Sequence, residues 1–261
     1  MKTIFNNLLD EKDLSFAEAS LLVESIFNSN ISNVQLSSIL TLLHKKKESF
    51  NEIYAFTNYL KKKCKKINIT GEFMDTCGTG GDNKGTFNFS TATSILLSTF
   101  NIKISKHGNR SVTSKSGSFD VLESLGIDIS SELSHIKKNL KANNICFLFA
   151  PNFHNSLKYV AEVRKSLPFK TIFNLLGPLL NPLKLNYQLL GVSNYENLLT
   201  HAKCLSKMNL KKAWVVFGEK GYDELTTTSK NYIIEVKKNK ISKVRTLDPK
   251  KIGFKIRKQN E

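Results

Sequence analysis

The chain has 261 residues, 40% of them apolar, with a formal charge of +17: enough for one large domain or two smaller ones around a true core. No apolar run reaches the roughly 18 residues that a membrane-spanning helix needs. Asp10 and Glu11 follow the N-terminus too soon for a signal peptide, so a cytoplasmic protein with no membrane association is expected.

The charge would ordinarily raise nucleic-acid binding, but its make-up weakens that reading. It comes from 35 Lys and 4 Arg, beside 26 Asn. Base readout and bidentate phosphate contacts favour Arg, whereas these lysines are scattered, densest at residues 61–66, and read as solvated surface. The four cysteines, Cys64, Cys77, Cys146 and Cys204, form no C-x-x-C pair and have no histidine at zinc spacing. They read as structural thiols of a reducing compartment.

In chain order, residues 1–67 are expected to be all-helical. SFAEASLLVESIF carries one apolar stripe, and Ser15 followed by Glu18 predicts a capping box. NVQLSSILTLLHKK and FNEIYAFTNYLKKK each close on lysines, favourably for the helix dipole. From about residue 70, short apolar runs alternate with glycine loops and helices, predicting an α/β domain with a largely parallel sheet. FMDTC, IKISKH, ICFLFAP and KKAWVVFG are its expected strands, and STATSILLSTF and FDVLESLGI its helices. TIFNLLGPLLNP, interrupted by Pro, predicts a hinge or packing segment, and NYIIEVKKNKISKVR a β-hairpin.

The loop DTCGTGGDNKGTFNFSTA fails two templates. A dinucleotide fingerprint would need Gly at Asn83, and a Walker loop would need Lys at Thr86. The features of an anion cradle survive. A strand at 73–77 ends on Gly78, and the glycines let backbone N–H groups approach a ligand. Ser90 or Thr91 then caps a helix with a positive dipole end, and Asn88 adds a short polar side chain. KHGNRSVTSKSGSFDVLESLG repeats the arrangement, with Lys106, His107, Arg110 and Lys115 among hydroxyls and Ser118 as the expected cap of a helix that Gly126 ends. Two cradles suggest a ligand with more than one phosphate.

After strand AWVVFG, Asp223 and Glu224 stand at a carboxyl edge, where open α/β sheets bind ligands, and adjacent carboxylates suit Mg²⁺ bridged to pyrophosphate. Arg164 offers a fork for a planar carboxylate. His107 and His154 lack a Ser or Asp partner at triad spacing and read as satisfied polar histidines near a site.

DTCGTGGDNKGTFNFSTA, KHGNRSVTSKSGSFDVLESLG, FAPNFHNSLKYVAEVR, TIFNLLGPLLNP and GYDEL together resemble the anthranilate phosphoribosyltransferase family, glycosyltransferase family 3 of tryptophan biosynthesis, over nearly the whole chain. The resemblance implies a small helical domain (1–69) that dimerises, joined by a helical segment near 165–185, and a catalytic α/β domain (70–261) of the nucleoside phosphorylase and phosphoribosyltransferase type. It implies a homodimer and Mg²⁺, two ions per subunit. It places phosphoribosyl pyrophosphate on Gly78, Gly81, Asp82, Thr86, Asn88, Phe89, Ser90 and Thr91. It also places that substrate under a closing loop made of Lys106, His107, Gly108, Asn109, Arg110, Ser111, Val112, Thr113 and Ser114, with Ser118. Anthranilate falls to Gly78, Asn109 and Arg164, and metal to Ser90, Asp223 and Glu224. No residue is expected to act as a covalent nucleophile.

Asn83, Asn155, Phe217 and Thr113 depart from the family's usual residues, where Gly, Pro, His and Ser are common, without removing an implied ligand. Family members usually continue beyond KIGFKIRKQ into further helices that cover the sheet. The domain is therefore expected to be C-terminally incomplete, with apolar sheet surface uncovered. Two rival readings are a pyrimidine-nucleoside phosphorylase, which would not be expected to carry KHGNRS or NLLGPLLNP, and a non-catalytic nucleic-acid-binding relative, which would have no use for Asn109, Arg164, Asp223 and Glu224.

Overall fold

The computed structural model describes residues 1–81, 84, 87–110, 117–129 and 132–256. Four helices come first: α1 (Lys2–Leu9), α2 (Phe16–Phe27), α3 (Asn33–Lys46) and α4 (Phe50–Lys63). The predicted capping box is present. Ser15 Oγ accepts from Glu18 N–H at 3.2 Å, and Glu18 Oε2 accepts from Ser15 N–H at 2.9 Å. The bundle is pinned by a buried carboxylate that periodicity does not reveal. Glu52 accepts from Leu14 N–H at 2.9 Å, from Ser49 N–H at 2.8 Å and from the Lys46 ammonium at 2.8 Å. Lys46 and Glu52 side chains are both excluded from solvent; the Glu52 charge is met by Lys46, which also pairs with Asp13 at 2.8 Å.

The remaining elements are β1 (Met74–Asp75), α5 (Phe89–Thr99), β2 (Ile104–Gly108), α6 (Ser118–Ser124), α7 (Leu133–Asn143), β3 (Ile145–Phe149), α8 (Ala161–Ser166), α9 (Ile172–Leu176), β4 (Tyr187–Gly191), α10 (Asn197–Ser206), β5 (Lys212–Gly218), β6 (Asn231–Lys237), β7 (Lys240–Ile241) and β8 (Arg245–Leu247). The sheet runs β3-β2-β1-β4-β5-β6-β7, with β8 also on β6. The first five strands are parallel, and β6 joins antiparallel. The chain builds outward from β1 through β2 to β3, then returns to lay β4 on β1's other side. The switch point, where open sheets bind ligands, therefore lies between β1 and β4.

The α/β expectation holds, with local corrections. β1 pairs over two residues rather than 73–77, because the chain turns into the glycine loop. Tyr187–Gly191 of NYQLLGV forms β4, and α7 and α10 appear where no element was anticipated; α7 buries only Ile136 and Leu140, a stripe too short to stand out. TIFNLLGPLLNP is not a strand: α9 passes into a 3₁₀ turn at Gly177–Leu179. β6 and β7 form the expected hairpin. Asn88, not Ser90 or Thr91, precedes the first residue of α5, with no side-chain cap bond. Gly117, not Ser118, precedes α6, and Asp120 Oδ2 accepts from the Gly117 N–H at 2.7 Å in place of a serine cap. Gly126 does end α6, with φ +72°.

One face of the sheet shares a continuous core with the helical bundle. Cys146 and Leu148 point there, whereas Ile145 and Phe147 face a smaller cluster with Ile104, Phe119 and Leu122. α5 packs by its hydroxyl side, burying Thr91, Ser94 and Ser98 while Leu96 and Phe100 are exposed. Small side chains allow close approach to β1, and Thr76 Oγ1 meets Ser94 Oγ at 2.7 Å. No described helix is long and apolar enough to cross a membrane.

Candidate active site

The glycine loop leaves β1 at the switch point. Thr79 N–H donates to the Gly191 carbonyl at 2.8 Å, stitching the loop to the end of β4. Gly80 and Gly81 take φ of +67° and +69°, the left-handed region that favours glycine. Thr76 Oγ1 donates to the Ser90 carbonyl at 2.7 Å, fixing the first turn of α5 against the strand.

The acidic pair reaches this loop from β5. Asp223 Oδ2 accepts from the Gly80 N–H at 2.7 Å. A Cβ on Gly78 would stand 2.8 Å from that oxygen, and one on Gly191 would collide with the Asp223 carbonyl. Both glycines are thus required by the close passage of the acidic turn. A loop N–H that binds a carboxylate oxygen here is one that can bind a phosphate oxygen.

Lys106 lies beneath the cradle, 1% exposed, on the strand expected at IKISKH rather than in the closing loop that the resemblance implies. It belongs to β2, as do His107 and Gly108. Its ammonium donates to Ser90 Oγ at 3.2 Å and to the Thr76 carbonyl at 3.4 Å. Beside it, burial pushes the Asp75 carboxyl up to about 6, against the opposing pull of Lys106. Asp75 accepts from Asn181 Nδ2 at 2.9 Å and from His107 N–H at 3.4 Å.

The two histidines are not fully satisfied. His107 Nδ1 bonds the Gly177 carbonyl at 3.1 Å, but His107 Nε2 and His154 Nδ1 are buried without partners. Their rings meet edge to face at 5.4 Å. Burial drives His107 down to about 3 and His154 to about 4, so both are neutral near pH 7. Burial likewise pushes the Cys77 thiol up to about 12, so it is no thiolate nucleophile. The four cysteines are free thiols, as expected.

Arg164, on α8, lays its guanidinium over the Phe173 ring at 5.2 Å. Phe173 in turn packs edgewise on Phe27 and Phe56 of the helical bundle. Among the described residues Arg164 has no ion pair, and burial lowers its pKa. Arg110 is otherwise engaged, forked onto Glu123 at 2.9 and 2.5 Å and stacked over Phe149. Asn109 is exposed and accepts from Arg110 N–H through Oδ1 at 2.8 Å. Phe89 is 50% exposed and touches Phe87, so any contribution to the cradle comes from its backbone. Thr91 Oγ1 is buried without a partner.

The structure thus gathers Gly78, Gly81, Asn88, Ser90, Lys106, Gly108 and the Asp223–Glu224 turn at the carboxyl edge. Ser118 packs behind Gly108, whose added Cβ would lie 3.8 Å from it. Arg164 is set on the bundle side and bonds none of the cradle residues. Asp82, Thr86, Ser111, Val112, Thr113 and Ser114 lie outside the described residues. Three positioning residues were missed: Asp75, Asn181 and Lys170, whose ammonium donates to the Gly81 carbonyl. Asp75 and Asn181 lie within motifs already singled out, but they are 106 residues apart and no local pattern pairs them.

The site suits a hard divalent cation. Asp223, Glu224 and Ser90 offer oxygen donors, and Asp223 Oδ2 is set among backbone donors that would share a phosphate. No described group of three or more His, Cys, Asp or Glu residues could hold a metal by itself. Two adjacent carboxylates with a hydroxyl are a donor set that fits Mg²⁺, which uses one or two carboxylates together with substrate oxygens and water.

Two family models cover the chain: the glycosyl transferase family helical bundle domain over residues 2–64 and its a/b domain over residues 70–261. An anthranilate phosphoribosyltransferase of Petrotoga mobilis is 45% identical over 93% of this chain and 71% of its own length. One of Pelagibacter ubique is 41% identical over 97% of this chain and 76% of its own. The crystal structure of anthranilate phosphoribosyltransferase from Thermus thermophilus superposes with a TM-score of 0.87 at 31% identity, covering 98% of this chain and 76% of that one. The Saccharomyces cerevisiae enzyme in complex with PRPP and Mg gives 0.87 at 28% identity, covering 99% of this chain and 75% of that one.

Proposed function

The chain belongs to the glycosyl transferase family of these helical bundle and a/b domains, and we propose that it transfers the phosphoribosyl group of phosphoribosyl pyrophosphate to the amine of anthranilate in tryptophan biosynthesis. The observation that carries this reading is the meeting of the Asp223 carboxylate with the Gly80 N–H at the switch point, above a buried ammonium.

In the reaction the bond from ribose C1 to the pyrophosphate oxygen breaks and a bond from C1 to the anthranilate nitrogen forms. Pyrophosphate leaves with the electron pair, and the nitrogen sheds one proton. The residues act by position and charge. The glycine loop and the start of α5 receive the anionic leaving group, and Lys106 places positive charge under Ser90. Asp82, Thr86 and residues Lys106–Ser114 with Ser118 complete the phosphoribosyl pyrophosphate site in this reading. Asp223, Glu224 and Ser90 would hold Mg²⁺, two ions per subunit, and the metal would supply neutralisation of pyrophosphate charge when bound.

Arg164, with Asn109 and Gly78, holds the anthranilate carboxylate and aims its amine at C1, so positioning is a large part of the rate. The aromatic amine is already neutral and needs no strong base, in keeping with two histidines held far below neutral pH. The enzyme acts as a cytoplasmic homodimer paired through the helical domain (1–69) and the segment near 165–185, with catalysis in 70–261. Loss of anthranilate fluorescence on adding phosphoribosyl pyrophosphate and Mg²⁺ tests the reading. Unchanged fluorescence with the folded chain overturns it, and phosphorolysis of a pyrimidine nucleoside instead would favour the phosphorylase.

A further inference from the structure

A second cavity, of about 410 Å³, lies between the helical bundle and the sheet. Its walls come from α4, from the segment joining α4 to β1, from residues 181–184 ahead of β4 and from residues 207–208 ahead of β5. These segments lead into the parallel strands, whereas the glycine loop and the acidic turn lead out of them. The cavity is therefore on the amino edge, separate from the site at the carboxyl edge.

Its chemistry is one-sided. Five of its fifteen lining residues are lysines: Lys61, Lys62, Lys66, Lys184 and Lys207. That is a third of the lining in a chain that is 35 Lys in 261, so general lysine richness does not account for it. No Asp or Glu lines the cavity. Elsewhere lysines meet carboxylates, as Lys12, Lys45, Lys47 and Lys212 do, but among the described residues none of these five forms an ion pair. Burial lowers the pKa of Lys61, and Lys66 adds to the effect. Lys61 is half-buried and the other four stand exposed around the opening; like charges around a concave space focus a positive potential into it. Tyr54, Ile67 and Met208 supply an apolar wall for the body of a ligand.

We infer that this cavity binds a small phosphorylated molecule through Lys61, Lys66, Lys184 and Lys207, at the seam between the helical bundle and the sheet. The volume admits a compound the size of a sugar phosphate and excludes a nucleic-acid duplex. A phosphate ester would fill the space to the apolar wall, while inorganic phosphate would engage only the lysines, so ribose 5-phosphate should bind more tightly there than inorganic phosphate.

The test is calorimetric titration of the whole chain with pyrophosphate in EDTA, followed by ribose 5-phosphate and inorganic phosphate. Lys66 and Lys184 are exposed, so the Lys66→Met/Lys184→Met pair does not threaten the core. Wild type should show two classes of pyrophosphate site. The lysine pair should weaken one at least tenfold and leave both the other class and saturated turnover unchanged, whereas Ser90→Ala should affect only the other class. A single wild-type class that the lysine pair leaves untouched would overturn the site, as would binding lost equally in both variants. Equal affinity of inorganic phosphate and ribose 5-phosphate for the lysine-dependent class would overturn the sugar phosphate as ligand. Because the lysine class is read without turnover, it can fail or survive independently of the proposed reaction.

Discussion

Asp223 crosses from the end of β5 to accept a hydrogen bond from Gly80 N–H at 2.7 Å, joining the acidic turn to the glycine loop 143 residues earlier in the chain. The approach is possible only because Gly78 and Gly191 lack side chains. Gly191→Ala should be the more severe change, since its Cβ would meet backbone, whereas in Gly78→Ala the Asp223 side chain can turn. Displacing a catalytic group by about 1 Å costs on the order of 100-fold in rate. We expect such a loss of kcat/KM in Gly191→Ala, a smaller one in Gly78→Ala, and thermal stability lowered chiefly in the former. Equal activity in both would contradict this account.

Removing the carboxylate charges should separate metal dependence from fold. Asp223→Asn with Glu224→Gln keeps size and hydrogen-bonding capacity but not hard anionic donors. Turnover should cease at any Mg²⁺ concentration while the melting temperature stays near wild type. Mg²⁺-dependent turnover at the wild-type rate would rule out the metal assignment.

Arg164 is half-buried and has no ion pair among the described residues, so its guanidinium is available to a carboxylate. A hydrogen bond to a charged partner is worth about 1.5–3 kcal/mol. Arg164→Ala should therefore raise the anthranilate KM by roughly 10- to 150-fold and leave the KM for phosphoribosyl pyrophosphate near its wild-type value. Steady-state kinetics with each substrate varied separately decides the point, and an unchanged anthranilate KM refutes the role.

Glu52 should matter to stability alone. It receives two backbone N–H groups and the Lys46 ammonium inside the bundle. Glu52→Ala strands both N–H donors and leaves the Lys46 ammonium to Asp13 alone, a loss of about 3 kcal/mol. Denaturant unfolding should show it, and a change under about 1 kcal/mol would mean that the buried pair is dispensable.

Histidine burial fixes the sign of one pH effect. Unfolded His107 takes up a proton near its ordinary 6.5, but folded His107 only near 3. As pH falls between those values the unfolded state gains a proton that the folded state refuses, and stability drops by about 1.4 kcal/mol per pH unit for that group. Asp75, raised to about 6, and Glu48, raised to about 7, act in the opposite direction over part of that range. His107→Asn can keep a donor for the Gly177 carbonyl and removes only the histidine contribution. Its unfolding free energy should fall less steeply than wild type from about pH 6.5 to about pH 4, and parallel curves would show that His107 does not titrate as described.

Local chemistry wrote much of this molecule into its sequence. Ser15 and Glu18 announce a helix start because their partners are three residues apart, and apolar periodicity announces α3 and α4 at their observed limits. The glycine loop and the Asp223–Glu224 pair are legible because an anion cradle and a hard-metal site need those residue types. The caps of α5 and α6 were misread because a serine beside a helix start looks like a cap whether or not its hydroxyl is used. In α5 the serine at 90 instead accepts from Lys106, sixteen positions further along and in what had read as separate chemistry.

Tertiary structure alone decided what each charge faces. Lys106 sat on an expected strand, but only the sheet set its ammonium under the cradle, and nothing in the periodicity marked Glu52 as buried. Arg164 was shown to rest on a ring packed against the helical bundle. Asp75 and Asn181, like the five lysines around the second cavity, come from distant segments that only strand order brings together. A sequence encodes its short-range contacts directly, because the peptide bond fixes their separation; long-range electrostatics depend on burial and on which strands become neighbours, and these exist only once the sheet has formed.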